Sequence, residues 1–312
     1  MKYNHFLNST ISVSEIGLGA WQLGHSDNWL AMNETEAIKL VRKALDLGLN
    51  FFDTAPNYGL GTSEKRLGLA LKAVNRDSIV INSKFGHTSA GTLDYRAESI
   101  RASLEGSLKR LQTDYIDSLI IHNPPFEMLD GNKNPHYELL ERLVEEGKIR
   151  AYGASLDTFE EMELFMNTTK GKVIEAFFNI LHQSTSKAFK QALKNEVSII
   201  AKIPLDSGWL SGKYTSNTVF EDIRSRWTDA EKMIRFELVE RVKGILSKYN
   251  LAQASIAFCN SYDAVKTVIP GCKNIAQLTE NLKSADVKLS NDEIEKLESF
   301  YLTEVKHLKL SW

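Results

Sequence analysis

From Ile16 onward the chain alternates short apolar runs with longer stretches of helical periodicity. This pattern restricts the fold more than any other feature, because repeated βαβ units around a parallel sheet satisfy it. Strands are expected at Ile16–Ala20, Asn50–Thr54, Ile79–Lys84, Asp117–His122, Arg150–Ala154, Val173–Phe177, Ser198–Ile203 and Val265–Ile269. Helices are expected between them at Glu34–Leu47, Ser63–Ala73, Tyr95–Leu111, Tyr137–Glu146, Phe159–Asn167 and Ala230–Tyr249. Eight repeats favour an α/β fold of the closed (β/α)8, or TIM barrel, kind over an open doubly wound sheet. Ahead of them, His5–Phe6 and Ile11–Val13 flank the turn-prone Leu7-Asn8-Ser9-Thr10, which predicts a short hairpin closing the barrel bottom. No linker or low-complexity tract interrupts residues 1–312, so one domain is expected; the longest loop, Pro204 to Thr228, follows the seventh strand.

Composition narrows the function classes. A formal net charge of −2 offers no general attraction to nucleic acid or anionic lipid. The first residues, MKYNHFLNST, lack the apolar stretch of a signal peptide, and no run approaches a membrane helix, so the expected compartment is the cytoplasm. Two cysteines, Cys259 and Cys272, without CxxC spacing argue against a disulfide framework or a cysteine zinc site. No metal is expected, and the oligomeric state is not readable.

In a barrel, side chains at the C-terminal strand ends share one pocket. The second run ends in Asp53 and turns out Tyr58 five residues later; the third ends in Lys84 and the fourth in His122. Taken singly, a cap, a loop aromatic, a surface charge and a core histidine explain them. Together at three consecutive strand ends they favour chemistry. Carbonyl reduction requires a proton for the oxygen that develops negative charge. Tyr58 suits that task if a nearby ammonium lowers its pKa from about 10. Lys84 would supply the ammonium, Asp53 would hold it protonated, and His122 would orient the carbonyl.

These residues carry a resemblance to the aldo-keto reductase superfamily. Phe52-Asp53-Thr-Ala-Pro-Asn-Tyr58-Gly59 with Gly61, Ser63-Glu64, Leu67-Gly68 and Ala70-Leu71 resembles its first signature. Ser107 to Asp117, running into Leu119-Ile-Ile-His122-Asn-Pro124, resembles its second, and Gly147-Lys-Ile-Arg-Ala-Tyr-Gly153-Ala-Ser155 resembles the segment entering the nicotinamide site. The resemblance implies a catalytic set of Asp53, Tyr58, Lys84 and His122, with Tyr58 the general acid, acting reversibly on an aldehyde, ketone or sugar with NADP(H). An aldose 1-dehydrogenase and an NADP(H)-binding regulatory subunit with little turnover are its alternatives.

A Rossmann site is not supported: Gly17-Leu-Gly19-Ala-Trp-Gln22 lacks the third glycine of GxGxxG. The resemblance instead implies a cleft that begins at Gly19, Trp21 and Asp53 and passes Ser155, Glu175 and Lys202. It continues along the loop through Pro204, Leu205, Ser207, Gly208, Leu210, Gly212 and Lys213; Arg224, farther along that loop, could touch the cofactor or an anionic substrate, or stay solvated or salt-bridged. The cleft ends at Ile269, Pro270, Gly271, Lys273, Gln277, Glu280 and Asn281, where Lys273 would meet the 2′-phosphate, Gln277 would lie beside it, and Glu280 and Asn281 would meet adenine. Three positions depart from the family pattern. Leu156 replaces the asparagine that usually follows Ser155, Glu175 replaces a carboxamide-binding glutamine, and Lys202 stands where many members stack an aromatic ring. Lys202 could pair with Glu175 or with a diphosphate oxygen, or point to solvent. The substrate pocket is expected to draw on Trp21, Trp29, Tyr58, Phe85, His122 and Asn123. Trp209 and Trp227 lie in the long loop, where an anchoring role is the commoner one.

Overall fold

The computed structural model describes residues 1–6, 9–24, 32–308 and 310. Strands β1 (Tyr3–His5) and β2 (Ser12–Ser14) form an antiparallel hairpin with Asn4 opposite Val13; the first begins two residues before the expected His5–Phe6 and the second one residue after the start of Ile11–Val13. The barrel strands are β3 (Leu18–Gly19), β4 (Phe51–Asp53), β5 (Val80–Phe85), β6 (Ile116–Ile121), β7 (Ile149–Leu156), β8 (Val173–Phe177), β9 (Ser198–Lys202) and β10 (Val265–Ile269). They pair in sequence order, all parallel. Bridges from Ile16 to Val268 and from Gly19 to Gly271 close the ring. A glycine is required at that seam, since a Cβ on Gly19 would lie 2.9 Å from the Ile269 carbonyl oxygen. The chain is therefore a (β/α)8 barrel with an N-terminal hairpin.

The helices are α1 (Glu34–Asp46), α2 (Thr62–Leu71), α3 (Ser99–Leu111), α4 (His136–Glu145), α5 (Phe159–Thr168), α6 (Phe189–Lys194), α7 (Asp229–Ile245), α8 (Leu251–Asn260), α9 (Ile275–Leu282) and α10 (Asn291–Phe300). Two expectations change. The helix drawn from Ala230 to Tyr249 stops at Ile245, and Asn250 caps a new helix by accepting the Gln253 amide. The helix drawn from Tyr95 starts at Ser99, which frees the Tyr95 ring for another task. No described helix is long and apolar enough to cross a membrane.

Two apolar layers hold the fold. The larger lies between strands and helices, and the smaller fills the barrel with Phe51, Val80, Ile120, Val173, Ile200 and Ile269, closed below by Phe6, Ile11 and Val13 beside the hairpin. Strand side chains alternate faces with period two. An inward apolar residue is therefore followed two positions later by another inward residue: Phe51 by Asp53, Val80 by Asn82 and Lys84, Ile120 by His122, Val173 by Glu175, and Ile200 by Lys202. The barrel interior thus changes from apolar to ionisable along its axis, and the ionisable end is the C-terminal one.

Candidate active site

At that end Lys84 is fully buried, and its Nζ donates to Asp53 Oδ1 at 2.6 Å and to the Thr54 carbonyl at 3.0 Å. A second carboxylate, Glu175, lies 3.2 Å from the same nitrogen. Asn82 links the two acids, donating to Asp53 Oδ1 at 2.7 Å and Glu175 Oε2 at 3.3 Å. Burial, reinforced by Glu175 and opposed by Lys84, pushes Asp53 up to about 7. Burial alone would strip Lys84 of its proton, but Asp53 and Glu175 outweigh it and hold the ammonium well above its usual range.

Tyr58 stands on a loop that only glycines permit in quantity: Gly59, Leu60 and Gly61 all have positive φ (58°, 52° and 88°). The Gly24 backbone packs against that loop so closely that a Cβ there would be 2.8 Å from the Gly59 nitrogen. Lys84 Nζ lies 5.1 Å from the centre of the Tyr58 ring. The ring meets His122 edge-on, with centroids 5.8 Å apart, and Trp21 at 6.2 Å. Burial raises the Tyr58 pKa, Lys84 offsets part of that rise, and the charges of Asp53 and Glu175 add to it. The expectation that Lys84 lowers the phenol below its ordinary range is therefore not met: burial outweighs the lysine, and the charges of Asp53 and Glu175 add to the rise. His122 follows β6; burial, then Lys84, His87 and Lys202, hold its pKa well below the usual value, so the imidazole is neutral. Its Nδ1 is enclosed without a hydrogen-bond partner among the described residues.

A second polar cluster adjoins the first. Lys202 Nζ donates to Ser155 Oγ at 2.8 Å and Asn123 Oδ1 at 3.1 Å, and it pairs with Asp157 Oδ1 at 2.8 Å. Ser155 Oγ also donates to Asn123 Oδ1, at 2.7 Å. Of the three fates considered for Lys202, the Glu175 pair is not formed: Glu175 belongs to Lys84. Asn123, placed by sequence in the substrate pocket, turns its side-chain oxygen toward this cluster. Phe85 is 1 % exposed and packs in the layer between strands and helices, so it does not line the pocket; the alternation that sends Lys84 inward sends Phe85 outward. Trp29 lies outside the described residues.

The loop after β9 is fixed from beneath. Asp206 is buried between His182 Nε2 at 3.3 Å and the buried Arg235 at 3.6 Å. Ile203, Asp206, Ser207, Gly208 and Gly212 have positive φ. Pro204 and Leu205 lead into this turn; the Leu205 carbonyl accepts from the Gly208 and Leu210 amides, and Leu210, Trp209 and Trp227 are buried supports. Farther along, Arg224 donates to Asp222 Oδ1 at 2.7 Å and to the Tyr214 hydroxyl. Lys273, after Ile269, Pro270 and Gly271, lies near enough to Arg224 for burial and that cation to lower its pKa, with Asp222 opposing. Gln277 Oε1 accepts from the Lys273 backbone amide at 2.8 Å, and Asn281 donates to the Gly271 carbonyl at 3.4 Å. Glu280 is bound by Gln253 and Lys283, with Lys213 close enough to lower its pKa further.

The profile of the Aldo/keto reductase family matches residues 15–302. The chain belongs to this family. Among its relatives, Aldo-keto reductase YhdN of Bacillus subtilis (strain 168) is 33% identical over 233 residues, covering 72% of this chain and 69% of that protein. The NADH-specific methylglyoxal reductase of Escherichia coli (strain K12) is 28% identical over 318 residues, covering 92% and 97%. Among solved structures, the holo form of aldo-keto reductase AKR11C1 from Bacillus halodurans superposes with a TM-score of 0.82 at 26% identity, covering 96% of each chain. As an aldo-keto reductase the chain is an oxidoreductase.

Several residues around this aldo-keto reductase site escaped the sequence reading. Asn82 was detectable, since it lies two positions before Lys84 on the same strand face. Asp157 and Asp222 lie in turns with no local signal. His87 and Tyr95 reach the site only because the loop after β5 folds back toward β6: His87 stacks on His122 with centroids 4.3 Å apart, and Tyr95 Oη donates to the His122 carbonyl at 2.7 Å.

Proposed function

We propose that this enzyme reversibly reduces the carbonyl of aldehydes, ketones or sugars with NADP(H), using Tyr58 as general acid. The observation carrying the reading is the buried Asp53–Lys84 pair beneath a half-buried tyrosine, edge-on to a neutral histidine, at the C-terminal mouth of a barrel. When bound, the reduced nicotinamide supplies hydride to the carbonyl carbon. The residues supply the rest. His122, through Nε2, orients the carbonyl oxygen beside the Tyr58 hydroxyl. Tyr58 is a neutral phenol, the form that donates, and its proton passes to the oxygen as negative charge develops there. The phenolate left behind sits next to the Lys84 ammonium, which Asp53 and Glu175 keep protonated. In the alcohol-to-carbonyl direction the same phenolate takes the proton back.

The residues present fit a dinucleotide in two places and fit less well in a third. Ser155, Asn123 and Lys202 offer a hydroxyl, an amide and an ammonium beside the acid pocket, suited to a carboxamide. Lys273 and Arg224, two neighbouring cations with one acid between them, suit a phosphate and favour NADP(H). Glu175 is engaged with Lys84, so the carboxamide would depend on the Ser155 cluster.

The test is Tyr58→Phe, which deletes one oxygen and keeps the ring packed against Trp21 and His122. Reduction of a reactive aromatic aldehyde, followed by NADPH consumption, is expected to fall about 10²- to 10⁴-fold while NADPH binding persists. Parent-level turnover by the purified variant would remove Tyr58 from the mechanism.

A further inference from the structure

The loop between β5 and α3 brings a second imidazole to the pocket, and its hydrogen bonds decide which nitrogen carries the proton. Tyr95 Oη lies 2.7 Å from the His122 carbonyl oxygen and 3.0 Å from that of Asn123, both acceptors only. Its single hydrogen is committed to them. The contact between Tyr95 Oη and His87 Nε2, at 2.8 Å, is therefore one in which His87 donates. With the proton on Nε2, Nδ1 of neutral His87 bears a lone pair, and it has no protein partner among the described residues. Burial, with Lys202 and Lys84 nearby, lowers the His87 pKa and favours this neutral form.

The arrangement is built, not incidental. His87 is half-exposed, yet it is fixed by a backbone bridge to Leu93, by the Tyr95 hydroxyl and by its stack on His122, 4.3 Å between centroids and 26° between planes. Gly86 makes room for the clamp: a Cβ there would lie 2.3 Å from the Tyr95 ring. The wall of the pocket thus runs Trp21, Tyr58, His122, His87. Tyr58 and His122 present donors to a carbonyl oxygen. One ring farther along the wall, His87 presents an acceptor.

We infer that His87 is a specificity-determining residue whose Nδ1 accepts a hydrogen bond from a substrate hydroxyl next to the reacting carbonyl, so that the preferred substrates are hydroxyaldehydes, hydroxyketones and open-chain sugars. This rests on the carbonyl-reduction reading above. A donor pair followed by an acceptor matches a carbonyl followed by a hydroxyl and leaves a plain alkyl carbonyl with one unmet polar contact.

The experiment compares hydroxyacetone with butan-2-one, in which a methyl replaces the hydroxyl, by steady-state NADPH oxidation in the parent enzyme and in His87→Phe. Phenylalanine keeps the ring stack on His122 and removes the acceptor. The ratio of kcat/KM for hydroxyacetone to that for butan-2-one is expected to fall roughly 2- to 12-fold, the span of one neutral hydrogen bond. His87→Gln, which restores an acceptor oxygen, should recover part of the ratio. Equal losses on both ketones would make His87 a support for His122 and overturn the assignment, as would an unchanged ratio. If the parent enzyme binds NADPH by fluorescence titration but turns over neither ketone nor an aromatic aldehyde, the reductase reading itself fails and the His87 role with it.

Discussion

Glu175 changes how the acid is tuned. A lysine with one carboxylate is a neutral pair, but Lys84 touches both Asp53 and Glu175, so the second negative charge adds to the rise that burial gives the Tyr58 pKa and works against the lysine. In the proposed mechanism a raised pKa keeps the phenol in the form that donates during reduction and makes scarce the phenolate that alcohol oxidation needs. Glu175→Gln preserves the shape and the contacts to Asn82 and Lys84 while removing one charge. The sign follows directly: with less negative charge nearby, Tyr58 ionises at lower pH, so the rate of alcohol oxidation rises at lower pH and the fall of reduction at high pH also begins earlier. A displacement of about one pH unit, the lower end of what a neighbouring charge commonly does, is expected in the kcat profile. An unmoved profile in an active variant would mean that the charge of Glu175 does not act on Tyr58.

Elements carry the second kind of constraint, the spacing between neighbours. Gly153 of β7 is paired with Val173 of β8, and a Cβ on it would fall 1.8 Å from the Val173 carbonyl oxygen. Gly153→Ala must push two barrel strands apart and is expected to cost about 1–3 kcal/mol, read as a lower midpoint in thermal or denaturant unfolding. Gly244, exposed on α7 with open space around it, should respond in the opposite sense, gaining about 0.5–1 kcal/mol on substitution by alanine. A matching loss at both positions would show that backbone crowding at β7 is not the cause. The strands were legible in sequence because they are short apolar runs, and the polar residues that end three consecutive ones made Asp53, Lys84 and His122 visible as a set. Helix α8 was not, because Leu251, Ala254, Ser255, Ile256, Ala257, Phe258 and Cys259 are all buried and leave no polar face to mark a period. Phe85 was misplaced although strand parity gave its direction. His87 and Tyr95 were beyond reach, since their contact with His122 exists only after the β5 loop has folded across β6.

The whole molecule carries a net charge of −2, so any attraction it has for a polyanionic cofactor must be local. The cations that could provide it lie at one end of the barrel mouth, where Arg224 is close enough to lower the Lys273 pKa and Asp222 opposes it. A 2′-phosphate would offset that positive charge; a 2′-hydroxyl would not. Removing Lys273 should therefore matter to NADPH and hardly to NADH. A charge-assisted contact of this kind is worth roughly 1.5–3 kcal/mol, or about 10- to 150-fold in affinity. Lys273→Ala is expected to weaken NADPH by that factor and to flatten the salt dependence of its binding, because screening acts on the contact that has been deleted. Fluorescence titration of both cofactors at two salt concentrations reads all of this. Equal weakening of NADH and NADPH would show Lys273 to be a support of the loop that Gln277 caps, and no change in either would move the phosphate to Arg224. Tighter binding of NADH than NADPH by the parent protein would place its preference with that of the NADH-specific Escherichia coli relative and overturn the proposed one.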